Sequence, residues 1–274
     1  MHYPKITIVT PSFNQSRYLE QTIQSVIGQG YPNLEYIIMD GGSTDGSVEI
    51  IEKYSRYIDY WCSKPDDGQA DAIFRGFKRS TGHILSWINS DDILCDRSLF
   101  KVADTFRENS DLGLVFGNSF LINESSKFKR CLIPDPNFKY YLYGASSIFQ
   151  GSVFYTRDAY IKSGGINPKW FYSMEYELFL NIHKDNKVSY IPYFIGCFRI
   201  QPLAKSSNYQ ELGRQEYAAI FKNVLDINIH GIEYKLKRVL SSVLAKSKPS
   251  FIFNRLFRTA HQRRLYSKLV EHCS

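Results

Sequence analysis

The first ninety or so residues alternate between two patterns of apolar positions. Short runs of consecutive apolar residues are typical of buried parallel strands, and apolar residues that recur every three or four positions are typical of amphipathic helices. The predicted strands are residues 5–10, 34–39, 60–63 and 83–89, and the predicted helices begin near residues 18, 46 and 68. Strands interleaved with helices in this way predict an α/β fold with a mostly parallel, Rossmann-like sheet flanked by helices.

Polar side chains follow each of these strands. Asn14 comes after the first strand, Asp40 ends the second, Asp66 follows the third, and Asp91 and Asp92 follow the fourth. In an open α/β sheet, ligands bind at the carboxyl ends of the strands. We therefore expect these side chains to meet at one ligand-binding edge.

The rest of the chain divides into a mixed part and a helical part. Helices are predicted at residues 96–107 and 174–184, and a strand at residues 112–117. Beyond Ser206 the pattern is helical almost throughout, with Pro249 as its main break. We expect an α/β domain over residues 1–206 and a helical extension over residues 207–274.

Composition describes a globular chain, and its charge is unevenly distributed. The 274 residues are 43% hydrophobic and 22% charged, with a net charge of +7. Residues 229–274 hold 10 Lys and Arg against 2 Asp and Glu, whereas residues 1–228 hold 24 against 25. The basicity therefore belongs to the C-terminal extension. Because no nucleic-acid-binding module accompanies it, we do not expect a nucleic-acid partner.

Cellular location is predicted from apolar runs and cysteines. The apolar runs are shorter than the roughly 18 residues that a membrane span needs, and no signal-peptide core precedes Lys5. The five cysteines are scattered and form no CxxC or Cys/His cluster, so neither a disulfide framework nor a zinc site is indicated. We expect a cytoplasmic protein with reduced thiols.

Asp91 and Asp92 are the sharpest chemical signal. Two adjacent carboxylates at a strand end repel each other, and a divalent cation such as Mn²⁺ or Mg²⁺ relieves that repulsion. A nucleoside diphosphate would supply further oxygen ligands. The alternative is that Ser90 and Asp91 cap the next helix.

Two further features carry weaker signals. The sequence DGGSTDG over residues 40–46 could bring backbone close to a ligand, but it lacks the GxGxxG and P-loop patterns, so a simple tight turn is the alternative. Glu175 and Glu177 begin a predicted helix, where a carboxylate can act as general base or simply interact with the helix dipole.

Taken together, these segments resemble glycosyltransferase family 2 in order and spacing. The segments are IVTPSFN (8–14), DGGSTDG (40–46), DDGQADA (66–72), WINSDD (87–92), QGSVF (150–154), GG (164–165) and MEYELFL (174–180). The resemblance covers roughly residues 4–205. It implies a GT-A fold and transfer of a sugar, with inversion, from a nucleoside diphosphate donor, usually UDP- or dTDP-linked, to an acceptor hydroxyl.

The resemblance also implies roles for individual residues. Pro11 and Phe13 would line the nucleobase pocket, and Asp40 would hold the base. Asp66, Gln69 and Asp71 would border the nucleotide. Asp91 would bind the cation, Mn²⁺ or Mg²⁺, with Asp92 beside it, and Glu175 would be the catalytic base.

The chain departs from the family pattern at several positions, and other functions stay open. Asn89 replaces a frequent Asp, Gln201 a frequent His, and Glu175 a more usual Asp. A sugar nucleotidyltransferase would need a basic, glycine-rich triphosphate loop after the first strand, which residues 11–17 do not supply. A non-catalytic nucleotide-sugar binding protein is the other alternative, suggested by Asn89 and Gln201.

The basic extension has two interpretations. Its apolar and basic residues suit adsorption to an anionic membrane surface, which would place the protein peripherally on the inner face of the cell membrane, beside a lipid-linked acceptor. Alternatively, its helices pack on the catalytic domain or on a partner. In either case we expect a role in surface polysaccharide synthesis, such as O-antigen (lipopolysaccharide) or capsule.

Overall fold

A computed structural model describes residues 3–142, 147–202, 204–225, 239 and 260–270. The strands are β1 (Ile6–Ser12), β2 (Leu34–Asp40), β3 (Tyr60–Ser63), β4 (Ile84–Trp87), β5 (Ile93–Leu94), β6 (Leu112–Asn123), β7 (Phe128–Leu132), β8 (Val153–Thr156) and β9 (Lys187–Ile200). The helices are α1 (Ser16–Ile27), α2 (Ser47–Lys53), α3 (Gln69–Arg79), α4 (Ser98–Glu108), α5 (Lys139–Leu142), α6 (Arg157–Lys162), α7 (Met174–Asp185), α8 (Lys205–Asn208), α9 (Gln210–Leu225) and α10 (Ala260–Val270). Short 3₁₀ helices occupy Ser55–Tyr57 and Gln150–Ser152.

The strands form one sheet in the order β3-β2-β1-β4-β8-β6-β9-β5, with β7 paired to β6. The four N-terminal strands are parallel, as the alternation of strands and helices predicted. Beyond β4 the sheet is mixed, because β8 runs antiparallel to both β4 and β6. Strands β6 and β9 are parallel to each other, so they end at the same edge of the sheet as β1, β2 and β4.

Two large apolar clusters cover the two faces of this sheet. One includes Leu19 of α1, Ile51 of α2 and Leu99 of α4. The other includes Ile73 of α3 and Leu178 of α7. Because both faces are buried, the central strands are apolar over consecutive positions rather than alternating ones.

The described parts of the C-terminal extension pack on the domain. Ile220 and Phe221 of α9 are fully buried in the cluster that contains α7. Tyr266 and Val270 of α10 pack in a third cluster, where the Tyr266 ring lies edge-on to Phe120 at 5.3 Å. Most of the basic positions predicted to meet a membrane fall between residues 226 and 259. In that range the structure describes only Val239, so these basic positions lie outside the described residues. Membrane adsorption stays a prediction.

Within the described part of the chain, none of the helices combines the length and the apolar character that crossing a membrane requires.

Candidate active site

The loops after β1 and β2 form one hydrogen-bonded unit. Asn14, in the left-handed region at φ 50°, donates its backbone N–H to Ser43 Oγ at 2.8 Å, and its Oδ1 accepts the N–H of Thr44 at 2.9 Å. Pro11 is buried, whereas Phe13 is 60% exposed at the same edge. An exposed ring on a fixed loop is available to stack on a planar ligand.

Asp40 is the buried centre of this unit. Its carboxylate accepts hydrogen bonds from the N–H groups of Gly42 at 3.1 Å and Ser43 at 2.8 Å, and from the hydroxyls of Ser43 and Ser63, each at 2.6 Å. Gly42 has φ +85°, which a turn this tight requires and a side chain would oppose. Asp40 therefore holds the loop in place, and its base-holding role stays a prediction.

Asp66 lies within electrostatic reach of both Asp40 and Asp71. The role of Asp66, Gln69 and Asp71 at the border of the nucleotide stays a prediction. The Asp66 carboxylate accepts the Gly68 N–H at 2.8 Å and packs against Gly41, where a Cβ atom would lie only 3.1 Å from the nearer carboxylate oxygen. Burial raises the pKa of Asp66, and the charges of Asp71 and Asp40 raise it further. Asp71 is paired with Arg75 at 2.6 Å. The structure thus brings together a group of carboxylates from β2, the β3–α3 loop and α3.

Gln69 links this group to the loop after β4. Its amide donates to Asn89 Oδ1 at 2.6 Å, and the Asn89 amide donates to Asp92 Oδ2 at 3.1 Å. Asn89, one of the departures from the family pattern, therefore acts as a hydrogen-bonded bridge between two neighbouring loops.

Asp91 and Asp92 have different environments. Asp92 is 0% exposed, and its second oxygen accepts the backbone N–H of Arg199 at 2.9 Å. Asp91 is partly exposed, and its Oδ2 accepts from the Gln201 amide at 3.0 Å. Burial raises the pKa of both carboxyls, and the charge of Asp91 raises that of Asp92 further. Asp92 thus supports the loop from inside, and Asp91 is the more exposed of the two carboxylates. The cation site predicted for this pair stays a prediction.

Arg199 is a site residue that the sequence patterns did not single out. Its guanidinium is buried and donates to the Asp91 backbone oxygen at 2.6 Å, to Ser126 Oγ at 2.9 Å and to Gln21 Oε1 at 2.9 Å. It also lies over the Tyr18 ring at 4.7 Å. The sequence feature that could have pointed to Arg199 is its place as a single arginine among the apolar residues of β9, because a charged residue in such a run is buried only when it has partners.

The residues present fit a divalent cation at Asp91. The Asp91 carboxylate is partly exposed at the carboxyl-terminal edge of the sheet. Carboxylate oxygens are the hard ligands that Mn²⁺ and Mg²⁺ prefer. Across the described residues, no group of three His, Cys, Asp or Glu side chains is arranged to hold a metal ion by itself. A cation here would therefore need oxygen ligands from a bound molecule as well as from Asp91.

Glu175 lies in the first turn of α7, as predicted. Burial raises its pKa from the usual 4.5 to about 7, with a further increase from the charge of Glu216 and an opposing effect of the Lys205 ammonium. A carboxylate with a pKa near neutrality is suited to accept a proton at physiological pH.

Lys205 of α8 is the second site residue that the sequence patterns missed. Its ammonium donates to the Phe171 backbone oxygen at 2.9 Å and lies 4.0 Å from the centre of the Phe171 ring. Burial lowers its pKa from 10.5 to about 8, and the charges of Glu175, Glu216 and Asp66 oppose that shift. Lys205 is thus within electrostatic reach of both Glu175 on α7 and Asp66 in the β3–α3 loop.

Glu216 of α9 fixes the turn that precedes α7. Its carboxylate accepts three consecutive backbone N–H groups, from Phe171 at 2.9 Å and from Tyr172 and Ser173 at 2.8 Å each. Negative charge at a helix N-terminus is favourable because the helix dipole is positive there. The C-terminal extension therefore positions the helix that carries Glu175.

We expect Glu216→Ala to lower the free energy of unfolding by about 2–4 kcal/mol, because three backbone donors lose a charged acceptor. Urea unfolding followed by circular dichroism measures this change. Glu211→Ala is the matched control on the same helix, since Glu211 makes an exposed pair with Arg214 at 3.0 Å and should change stability by no more than about 0.5 kcal/mol. Equal stability losses in the two variants would contradict the role of Glu216.

Curated relatives match part of this chain in sequence. The poly-beta-1,6-N-acetyl-D-glucosamine synthase of Staphylococcus epidermidis is 29% identical over 123 residues, 44% of this chain and 30% of the relative. The matches span less than half the length of this relative and of the other curated relatives that rank beside it.

Solved structures share the fold at low sequence identity. S. aureus TarS 1-349 in complex with UDP-GlcNAc has a TM-score of 0.65 at 14% identity, over 86% of this chain and 72% of that one. The mannosyltransferase PcManGT of Pyrobaculum calidifontis, in complex with GDP-Man and Mn²⁺, has a TM-score of 0.60 at 15% identity, over 100% of this chain and 86% of that one. The predicted GT-A fold is confirmed.

The family follows from the sequence itself. A family model described as Glycosyl transferase family 2 matches residues 7–164, which is more than half of the chain and includes every strand-end motif from Pro11 to Asp92. The chain therefore belongs to glycosyltransferase family 2.

Proposed function

We propose that this protein is an inverting glycosyltransferase that moves a sugar from a nucleoside diphosphate donor, UDP-linked by preference, to a hydroxyl of a saccharide or lipid-linked saccharide. The observation that carries the proposal is that one molecule has both a sheet edge lined by carboxylates and a separate carboxyl, Glu175, whose pKa burial raises to about 7. Family membership and a relative named as a polysaccharide synthase support it. The product would be a surface polysaccharide such as O-antigen or capsule, assembled on the cytoplasmic side of the membrane.

In the proposed reaction, the donor lies along the edge from Asp40 to Asp91, with its nucleobase near Pro11 and Phe13. Glu175 removes the proton from the acceptor hydroxyl as its oxygen attacks the anomeric carbon. The bond to the diphosphate breaks with the electron pair leaving on the diphosphate, and attack from the opposite face inverts the configuration. Lys205 is close enough to favour the ionised form of Glu175 before the proton arrives.

A cation bound at Asp91 would offset the negative charge that develops on the departing diphosphate. The residues around Asp91 have their own task, since Arg199 and Gln201 fix its backbone and side chain through hydrogen bonds of 2.6 Å and 3.0 Å. The loop is therefore preorganised for a ligand.

A donor panel tests this proposal. UDP-GlcNAc, UDP-glucose, UDP-galactose and GDP-mannose are incubated separately with the protein and Mn²⁺, and release of the nucleoside diphosphate is followed. A glycosyltransferase is expected to hydrolyse at least one donor slowly, because water can take the place of the acceptor.

Two outcomes would instead support the alternatives. Binding of a donor with no release beyond the uncatalysed rate would indicate a nucleotide-sugar binding protein. Formation of pyrophosphate from a nucleoside triphosphate and a sugar 1-phosphate would indicate a nucleotidyltransferase.

A further inference from the structure

The C-terminal helix α10 reaches the part of the molecule that supports Asp91. The Leu269 backbone oxygen accepts the N–H of Asp96, in the loop after β5, at 2.9 Å. The Tyr266 hydroxyl donates to the Ser126 backbone oxygen in the β6–β7 turn. Hydrogen bonds therefore attach α10 to two segments of the domain, and the bond to Ser126 leads on to Asp91.

Packing fixes the direction of the Tyr266 hydroxyl. The ring lies edge-on to Phe120 of β6 at 5.3 Å, and its centre is 5.7 Å from that of Phe128 of β7. Aromatic pairs at such separations attract each other, so the ring is held against both strands of the hairpin. A phenylalanine ring would fill the same space but would supply no donor. The hydroxyl thus has a role separate from the packing of the ring.

Ser126 passes this contact on to Arg199. Its backbone lies in the left-handed region at φ 57°, which a residue other than glycine keeps only where neighbouring groups hold it. Its Oγ accepts from Arg199 Nη1 at 2.9 Å and donates to Gln21 Oε1 at 3.0 Å. Arg199 Nη2 donates to the same Gln21 oxygen at 2.9 Å. The three side chains form a closed ring of hydrogen bonds, and Tyr266 holds the backbone of one member.

Arg199 carries the contact to Asp91. Its Nε donates to the Asp91 backbone oxygen at 2.6 Å, and its backbone N–H donates to Asp92 Oδ1 at 2.9 Å. The guanidinium is planar and rigid, so its N–H groups point in fixed relative directions. A displacement of Ser126 therefore tilts the whole group and changes the hydrogen bond at Asp91. Because Arg199 is only 1% exposed, close packing leaves it little room for another arrangement.

We propose that Tyr266 is a positioning residue for Asp91, which it holds in place through Ser126 and Arg199. The C-terminal extension thereby contributes to the donor edge, although it lies outside residues 7–164, which the family model matches. The proposal rests on the proposed function, because the position of Asp91 affects a reaction only if a nucleotide-sugar reacts there.

Tyr266→Phe tests the link, because it keeps the ring and removes only the hydroxyl. Tyr57→Phe is the matched control, since Tyr57 is 49% exposed and its hydroxyl accepts a hydrogen bond from Arg56 at 2.7 Å in the 3₁₀ helix after α2. Two measurements that need no turnover are made on each protein. Hydrogen exchange is followed by NMR without ligand, and the dissociation constant of Mn²⁺ in the presence of UDP is measured by electron paramagnetic resonance.

Three backbone amides report the exchange. The N–H groups of Asp92 and Arg199 lie in the braced region, where they bond to the Asn89 backbone oxygen at 3.0 Å and to Asp92 Oδ1 at 2.9 Å. The N–H of Gly82 bonds to Thr7 Oγ1 at 3.0 Å near the opposite end of β1, so it reports the stability of the whole domain.

In Tyr266→Phe, the Asp92 and Arg199 amides are expected to exchange about 2–10-fold faster, the effect of losing one hydrogen bond of ordinary strength. The Gly82 amide should exchange at the native rate, and Mn²⁺ should bind more weakly by a similar factor. Tyr57→Phe should match the native protein in every measurement.

The proposal is overturned if Asp92 and Arg199 exchange at the native rate in Tyr266→Phe, or if Gly82 accelerates equally, which would indicate a general loss of stability. Native Mn²⁺ affinity in Tyr266→Phe would also overturn it. If the native protein binds no Mn²⁺ with UDP, the cation prediction fails and the exchange rates alone decide the role of Tyr266. A donor panel without hydrolysis would refute the proposed function and leave the exchange result standing.

Discussion

Glu175→Gln is expected to reduce sugar transfer by about 10²–10⁴-fold while leaving donor binding unchanged. The amide has nearly the same size as the carboxyl but cannot accept the acceptor proton. Transfer is measured as nucleoside diphosphate release in the presence of acceptor, and donor binding by calorimetry with UDP. The separation of the two readouts distinguishes a lost base from a damaged donor site.

The pH dependence gives a second signature of the same residue. Burial raises the pKa of Glu175 to about 7, so the ionised form that can act as a base is populated only as the pH rises through that value. The rate of transfer should therefore increase between about pH 6 and pH 8 and then level off. The residual activity of Glu175→Gln should lack this step.

Stability provides the control for correct folding. A carboxyl whose pKa is higher in the folded state than in the unfolded state stabilises the fold below pH 4.5, its usual pKa, and this contribution is lost as the pH rises to about 7. A glutamine does not ionise, so the Glu175→Gln variant does not lose this stability as the pH rises. At pH 8 it should therefore unfold at no lower urea concentration than the native protein.

Glu177→Gln is the matched control for the assignment of Glu175 as the base. Glu177 also lies in the first turn of α7, but residues two positions apart in a helix do not face the same side. The Glu177→Gln variant should transfer sugar at the native rate. Full activity in Glu175→Gln, or equal losses in both variants, would contradict the assignment of Glu175 as the base.

The parallel part of the fold could be predicted because its signal is local. The strand predicted at residues 34–39 is β2 (Leu34–Asp40), and the helix predicted at residues 174–184 is α7 (Met174–Asp185). The strand is buried on both faces and the helix on one, so the continuous apolar run of the first and the apolar spacing of the second are read directly from the sequence. The 14-residue β9 was not predicted as one element, because residues such as Pro192 and Arg199 interrupt its apolar pattern and are accommodated only by neighbouring elements.

The carboxylates of the site were predictable, whereas their supports were not. Strand ends place Asp40, Asp66 and Asp91 at one edge, and this follows from the order of strands alone. The difference between Asp91 and Asp92 depends on Arg199, which is more than a hundred residues away along the chain and reaches both through hydrogen bonds. Glu216 similarly acts on Phe171 to Ser173 across 43 to 45 positions. Such contacts exist only after folding, so no spacing in the sequence reports them.

Asp91→Asn is expected to lower Mn²⁺-stimulated donor hydrolysis by about 10²–10³-fold, an effect similar to removing one group that stabilises a developing charge. The reason is that an amide oxygen carries no net charge and holds a divalent cation far more weakly than a carboxylate does. The fold should persist, because Gln201 can still donate to the amide oxygen of the substituted side chain, and Arg199 still donates to the backbone oxygen at this position, 2.6 Å away. Hydrolysis of the best donor is measured over a Mn²⁺ titration.

The shape of that titration decides between a cation ligand and a merely structural residue. If Asp91 holds the cation, the Asp91→Asn variant should need a higher Mn²⁺ concentration for half-maximal activity, and excess Mn²⁺ should restore part of the lost rate. Asp67→Asn is the control, since Asp67 is an exposed carboxylate in the β3–α3 loop, and its titration should match that of the native protein. A native enzyme that works equally well with chelator present, or an Asp91→Asn variant with an unchanged Mn²⁺ midpoint, would remove the cation from this site and leave Asp91 as a hydrogen-bond partner of Gln201.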